Sequence, residues 1–455
     1  MKYDHAIDAA VAAAREALPQ WIDTPIAERV RILNAFADEL RNHKSELAGT
    51  ISSETGKPRW ESLTEVDAMI NKVGLSIRAH DERRKPTTAE SAGVTSATRY
   101  KPHGVAAVLG PFNFPGHLPN GHIVPALLAG NTIVFKPSEH APKTAEHTIA
   151  LWHRAGLPLR GINLLQGEKE TGAALVTHPG IDAVFFTGSF TAGRAINRAL
   201  ADHPGKLAAL EMGGNNPLIV WNAADLNAAA YLTIQSAYLT AGQRCSCARR
   251  LIVSSDASGD RFLDALLAMM SKIRVGMPSD EPEPFTGPVI NATAAQNLLR
   301  AQESLLSRGA RSLAPLQPLG ALAHLLSPAL IDVTYVKDRD DEELFGPLLQ
   351  LIRVKDFDAA IAEANNTRFG LAAGLLSDDR ALYDRFYRQA KAGVINWNRP
   401  LTGASSALPF GGVGESGNHR PSAFFAADYC SYPIASLESD RVAMPTTLTP
   451  GIDLS

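Results

Sequence analysis

From Gly104 onward the chain alternates short apolar runs with helical stretches, and this alternation restricts its fold more than any other feature. GVAAVLG, NTIVFKP, INLLQG, DAVFFTGS and NPLIVW are strand-like, and helical patterns such as Ala145 to Arg154 lie between them. Near-continuous apolar strands separated by helices imply a parallel sheet covered on both faces, an α/β domain. A second such pattern begins near Leu218. It runs through the helical AAAYLTIQSAYLTAGQ, the strand-like RRLIVSS and the helix DRFLDALLAMMSKI, and later through LLQLIRV, DAAIAEANN and AGVINWN. No internal repeat of solenoid period is present.

The first ninety residues read as helices instead. In TPIAERVRILNAFADELRNHKSEL, Thr24 is the expected N-cap and Pro25 the first helical residue. Ile26, Val30, Leu33, Ala37 and Leu40 recur at three- and four-residue steps, which is one helix face. The tail from Asn418 mixes aromatics with alternation (AFFAADYCSYPIASLES) and suits a late strand or an arm packing on a partner subunit.

With 455 residues the chain has room for about two or three domains. A formal net charge of -3 argues against nucleic-acid or polybasic membrane binding, both of which need surplus Lys and Arg. The sharpest charge run, DERRK (Asp81 to Lys85), reads as a solvated surface segment. Three cysteines do not make a disulfide framework, so a reducing compartment is expected. The first helix-like stretch, DHAIDAAVAAAREAL, carries charges throughout and is neither a secretory core nor a membrane span. A soluble cytoplasmic protein is the expectation.

Several segments carry residues suited to chemistry. In FFTGSFTAGRAI, Gly188 and Gly193 flank a turn between strand and helix, where free N–H groups and the helix dipole attract an anion such as a pyrophosphate. It is not the G-x-G-x-x-G fingerprint, and the same strand-turn-helix is common in α/β proteins. FGGVGESG lacks the ending of a P-loop and reads as a tight turn. FKPSE places Lys136 and Glu139 after a buried-looking strand, where they suit ribose hydroxyls or phosphate, or equally a surface ion pair. ALEMGGNNP ends a strand-like run with Glu211 and two glycines that let a ligand approach the backbone. GPFNFPGHLPNG is a loop that sets Asn113 between two phenylalanines; His117 within it and His122 just after it read as structural, not as metal ligands.

TAGQRCSCARR crowds Cys245 and Cys247 among arginines. The pair lacks the second half of a zinc site, and a redox dithiol usually has two intervening residues. One thiolate activated by Arg244 remains, beside the alternative of two inert buried thiols.

Taken in order, PFNFP, KPSE, FTGS, LEMGGNNP, GQRC, EELFGP and PFGG resemble the aldehyde dehydrogenase superfamily over nearly the whole chain. Longer stretches, TAGQRCSCARR, NWNRPLTGASS and SGNHRPSAFFAADYC among them, are similar to the branch that oxidises a succinylated acidic semialdehyde in arginine breakdown. The resemblance implies an α/β fold with a Rossmann-type coenzyme domain (residues 1–90 and 103–211), an α/β catalytic domain (212–417) and a small β oligomerisation arm (91–102 and 418–440). It implies NAD as cofactor, no metal, and a homodimer or larger assembly.

Residue by residue, it makes Cys245 the nucleophile, Glu211 the general base and Asn113 a donor to the oxyanion. Lys136 and Glu139 would contact the adenosine ribose, and Gly188, Ser189, Phe190, Thr191, Ala192 and Gly193 the pyrophosphate. Glu343 would hold the nicotinamide ribose, with Phe345 beside the ring. An acidic aldehyde calls for cations near the mouth, for which Arg244, Arg399 and His419 are the candidates. Two departures stand out: Met1 lies almost at the first long helix, where family chains begin with a strand hairpin, so either the start is truncated or the coenzyme sheet lacks an edge. The PFGG loop also continues VGESG without the lysine many relatives carry. The competing readings are a dehydrogenase for glutamate or succinic semialdehyde, a CoA-acylating relative, a non-redox cysteine hydrolase, and a retired enzyme with a structural role.

Overall fold

The computed structural model describes residues 5–91, 93–445 and 447–452. Four helices lead the chain: α1 (His5–Asp23), α2 (Ile26–Asn42), α3 (Lys44–Thr55) and α4 (Arg59–Arg83). Leu33, Ala37 and Leu40 of α2 are buried as the spacing requires, whereas Ile26 is exposed. Thr24 does not cap α2. Pro25 holds that position without a side-chain bond, and the Thr24 hydroxyl donates back to Gln20 O (2.9 Å), closing the end of α1.

After a hairpin, β1 (Thr87–Ser91) and β2 (Val94–Pro102), four βα units and a fifth strand follow. They comprise β3 (Val105–Leu109), α5 (His117–Ala129), β4 (Thr132–Lys136), α6 (Pro142–Arg154), β5 (Ile162–Leu164), α7 (Lys169–Thr177), β6 (Ala183–Gly188), α8 (Phe190–Ala199) and β7 (Leu207–Met212). All pair in parallel in the order β5-β4-β3-β6-β7. This is the Rossmann arrangement, and the order reverses between β3 and β6. Ligands bind such sheets at the carboxyl ends of the strands beside the reversal, which here are the segments following Leu109, Lys136 and Gly188.

Chain then passes directly from β7 into β8 (Asn216–Val220), an inner strand of a second sheet. After α9 (Leu226–Tyr238) comes β9 (Ala248–Ser254) beside it. The full order is Arg311–Ala314, Ala329–Asp332, Leu348–Val354, β9, β8, Ala372–Leu376 and Val394–Trp397, parallel except for the first, edge strand. Cys245 lies just before the amino end of β9 and Glu211 near the carboxyl end of β7, so the two sheets present these residues from opposite sides of one cleft.

The third sheet pairs β1 and β2 with Ser431–Glu438. Its first strand starts at Thr87, ahead of residue 91. Residues 418–430 lie on the first domain instead of extending the arm: Asn418 bonds both ways with the β7 backbone, and Tyr429 and Cys430 are in the core beneath α5. The DERRK run is not simply solvated. Arg83 and Arg84 both pair with Asp428, and Arg83 stacks over Phe425 at 3.5 Å, fastening the tail to α4. No helix among the described residues is long and apolar enough to cross a membrane.

Trp152 shows how the helical layer is seated on the sheet. Its ring is fully buried, stacks on Phe36 with centroids 3.6 Å apart, and donates to Asn120 Oδ1 (3.3 Å). Trp152→Ala removes that stack and leaves a cavity, so it is expected to destabilise the fold by about 3–5 kcal/mol, read as a lower denaturation midpoint in urea.

Candidate active site

The Cys245 segment is built by an unusual backbone. Thr240, Ala241 and Gly242 take three consecutive positive φ values (57°, 52° and 70°), a left-handed turn that costs side-chain-bearing residues steric strain. Gly242 is obligatory there, because a Cβ would lie 2.1 Å from Gly346 O. Buried bonds hold the strained turn. Thr240 donates to Glu61, Arg244 Nη2 donates to the same Glu61 oxygen (2.7 Å), and Ala241 N–H donates to Thr286 Oγ1 (2.6 Å). Asn216, in the GGNNP motif, donates to Cys245 O (2.6 Å) and Cys247 O (2.9 Å), fixing the segment against β8.

The arginines around the cysteines act on backbone, which answers why they cluster there. Arg249 is fully buried and donates to the carbonyls of Gly242 and Arg244; Arg250 donates to Asn215, Glu363 and Ala364 carbonyls. Arg244 is neutralised by Glu61 and so does not activate Cys245 in the way the sequence pattern invites. The Cys245 thiol is pushed up to about 12, first by burial and then by Glu343 and Glu211, with Arg249 opposing. Cys247 is fully buried, its sulfur 3.8 Å from Leu239 O.

Two cavities meet at Cys245. The larger, about 560 Å³, follows the carboxyl ends of β3, β4 and β6, and the smaller, about 240 Å³, is walled by α4, α5 and the segment 402–406. Asn113, Glu211 and Cys245 line both. Asn113 is buried and spends one amide N–H on Gln243 O (2.8 Å), which orients the group and leaves its second N–H unspent. Burial raises the Glu211 carboxyl well above the usual range, partly offset by Ser422, whose N–H donates to Oε1 (3.2 Å). Glu211 Oε2 has no partner.

The larger cleft has the features a nicotinamide dinucleotide needs. Lys136 and Glu139 sit at its β4 end with Nζ and Oε2 3.7 Å apart, and Gly188, Ser189 and Ala192 line it at the start of α8, where Ser189 caps the helix. At the other end are Phe345 and Glu343; a buried Glu343 oxygen lacks a hydrogen-bond partner, and burial raises its carboxyl to about 7. A Cβ at Gly213 would lie 1.7 Å from Glu343 Oε2, so only glycine allows that approach. Three of the predicted phosphate-loop residues are not in the lining. Phe190 packs edge-on against Phe369, Thr191 faces solvent, and Gly193 is buried against Met212, where a Cβ would meet the sulfur at 2.3 Å.

Of the three predicted substrate cations, only Arg244 lines the smaller cavity; Arg399 and His419 are exposed and outside its lining. Both neighbour a turn residue in the left-handed region (Asn398) or occupy one (His419), which directs them outward. In their place the cavity has Lys72, buried on α4, and His117, neither of which the sequence reading assigned to the substrate. A visible signal existed: Thr64, Ala68 and Lys72 fall four residues apart, one helix face. Burial and nearby cations push His117 and His122 down to about 3, and His122 bridges Tyr429 Oη (2.7 Å) and Thr187 Oγ1 (2.9 Å); no metal-type cluster of His, Cys, Asp and Glu occurs among the described residues.

Residues 2–432 match the model of the Aldehyde dehydrogenase family. The chain is 54% identical over 449 residues to the N-succinylglutamate 5-semialdehyde dehydrogenase of Pseudomonas fluorescens (strain Pf0-1), covering 99% of this chain and 92% of that one. Among solved structures, 1-pyrroline-5-carboxylate dehydrogenase from Thermus with bound NAD superposes with a TM-score of 0.89 at 32% identity, covering 95% of this chain and 85% of that one. NADP-dependent glyceraldehyde-3-phosphate dehydrogenase from Bacillus halodurans C-125, complexed with NADP, gives 0.89 at 29%, covering 95% and 91%. A Rossmann sheet facing a second α/β sheet across a half-buried cysteine, together with this likeness along nearly the whole chain, makes the protein a member of the aldehyde dehydrogenase family.

Proposed function

We propose that this enzyme oxidises N-succinyl-L-glutamate 5-semialdehyde to N-succinyl-L-glutamate with NAD, as a cytoplasmic step of arginine breakdown. The observation that carries the reading is the junction of a dinucleotide-sized cleft and a separate, partly cationic cavity at Cys245, with Glu211 and Asn113 facing both. The likeness to a dehydrogenase of that semialdehyde supports the substrate. Glu139 supports NAD, since a carboxylate at the ribose end of the cleft repels the extra phosphate of NADP.

Cys245 attacks as the thiolate. Its sulfur bonds to the aldehyde carbon, the carbonyl π pair moves to oxygen, and a tetrahedral thiohemiacetal results. The unspent Asn113 N–H and the Cys245 backbone N–H receive the negative oxygen. NAD, when bound, would supply the acceptor for the hydride that leaves that carbon. The thioester left on Cys245 is then hydrolysed: ionised Glu211 takes a proton from water, the hydroxide bonds to the acyl carbon, and the sulfur leaves. Glu343 and Phe345 would hold the nicotinamide end, and Lys136, Glu139 and the start of α8 the adenosine end and pyrophosphate. The exposed apolar side chains of the arm, Leu437 foremost, support pairing of subunits there.

NADH formation at 340 nm with N-succinylglutamate semialdehyde tests the reading. Cys245→Ala is expected to abolish turnover, and full activity in that variant would overturn the assignment. Asn113→Ala should lower kcat by about 10²–10³-fold. Glu211→Gln should keep a first-turnover burst of NADH while steady-state turnover drops about 10²–10⁴-fold.

The two perturbed acids add a pH prediction. A thiol raised to about 12 is protonated at neutral pH, so alkylation of the cofactor-free enzyme by iodoacetamide should accelerate roughly tenfold per pH unit from 7 to 10 without levelling. Glu211 works as the base form, and its carboxyl is raised; acyl release in rapid-quench experiments should therefore speed up as pH rises through that raised value and then level off.

A further inference from the structure

The proposed reading requires the smaller cavity to prefer anionic aldehydes, and its lining contains a charge whose partner is missing. Four basic side chains line it: Lys72, His117, His122 and Arg244. The two histidines are neutral, held down by burial and by neighbouring Lys72. Arg244 is matched by Glu61 at 2.7 Å, and just behind the lining Lys57 is matched by Glu65. Lys72 alone of the cations in this lining has no carboxylate partner among the described residues. Its side chain is 1% exposed, and its ammonium has three hydrogens but one acceptor, Ala423 O at 2.8 Å.

Burying an ammonium is costly unless an anion accompanies it, and the strain registers on the group itself, whose pKa burial lowers to about 8. A buried cation with two free donors in the wall of a substrate cavity is a half-built ion pair. His117 adds a second observation: its Nδ1 is buried without a hydrogen-bond partner, and Lys72 is the largest charge influence on its ring. A neutral imidazole N–H beside an ammonium is a donor pair suited to one carboxylate.

We propose that Lys72, assisted by His117, binds a carboxylate of the substrate remote from its aldehyde and thereby selects acidic semialdehydes over neutral ones. This rests on the proposed function, since it names the group that recognises that substrate's charge. The selection is electrostatic: an acidic aldehyde supplies the missing anion, whereas a neutral aldehyde must leave the ammonium buried and unpaired.

The test compares kcat/KM for N-succinylglutamate semialdehyde, N-acetylglutamate semialdehyde and hexanal, in the wild type, Lys72→Met, Lys72→Arg and His117→Phe. The ratio of kcat/KM for the succinylated substrate to that for hexanal should drop about 30-fold or more in Lys72→Met, mainly through KM, with partial recovery in Lys72→Arg and a smaller drop in His117→Phe. If the N-acetyl substrate loses as much, the carboxylate held is that of the glutamate carbon; if only the succinylated one loses, it is the succinyl carboxylate. Either supports the proposal. An unchanged ratio in Lys72→Met overturns it, as does an equal loss with all three aldehydes, which marks a merely structural lysine. A Lys72→Met protein that does not fold is replaced by a binding readout: N-succinylglutamate should raise the Tm of Cys245→Ala more than hexanoate does, and Cys245→Ala/Lys72→Gln should lose that difference while Cys245→Ala/Lys72→Arg keeps part of it; an equal rise with both ligands, or no rise with N-succinylglutamate, overturns the proposal. A wild type that prefers hexanal to every acidic aldehyde would instead sink the proposed function itself.

Discussion

Two buried carboxylates on α4 hold the reactive centre together. Glu61 receives Thr240 and Arg244 of the Cys245 segment, and Glu65, four residues along the same helix face, receives Lys57 and the N–H groups of Gly116 (2.9 Å) and His117 (3.0 Å). One acid therefore grips the loop that presents Cys245 and the other the loop that presents Asn113. Phe114 lies between, with Lys57 at 3.8 Å from its ring and Arg244 at 4.9 Å. Buried ion pairs add little net stability because desolvation offsets the attraction, but a lone survivor of such a pair is severely penalised. What the pairs supply is a single allowed arrangement: any displacement of either loop separates buried charges. The strained turn at Thr240–Gly242 persists for this reason.

The same logic explains the density of arginine next to a cysteine that stays protonated at rest. Guanidinium groups present fixed forks of donors, and Arg249 and Arg250 use them to satisfy backbone carbonyls where the chain leaves regular structure. Their charge is largely consumed in that work. The sulfur is left among carboxylates, Glu211 and Glu343, which together with burial favour its protonated form.

Much of the architecture was legible because its signals are local. Continuous apolar runs such as AVFF and LIV become the buried strands β6 and β8, and the segments that end with Lys136, Gly188 and Glu211 point to the carboxyl edge of a parallel sheet. Motif order singled out Cys245, Glu211 and Asn113, and all three line both cavities where these meet. What stayed hidden was long-range. Nothing near Asp81–Lys85 announces Asp428, nothing near Thr24 shows that its hydroxyl turns back to α1, and the exposure of Arg399 and His419 depends on turns whose direction only the folded chain sets. Charge near a motif was readable; the partner that neutralises the charge was not. Lys72 escaped for the converse reason, a polar letter on a helix that reads as surface until a neighbouring element covers it.

The direct passage from β7 into β8 has a consequence for how such proteins can be taken apart. Glu211 belongs to one sheet, Asn216 to the next, and between them Gly213 and Gly214 are pressed so closely by Glu343 and by Asn216 that side chains have no room. The seam between the halves is thus among the least tolerant stretches of the polypeptide. Chimaeras joined at this crossover would misalign Glu211 and Cys245 even if each half folded faithfully, and a viable exchange of modules needs its splice points elsewhere, in the exposed connections flanking the arm.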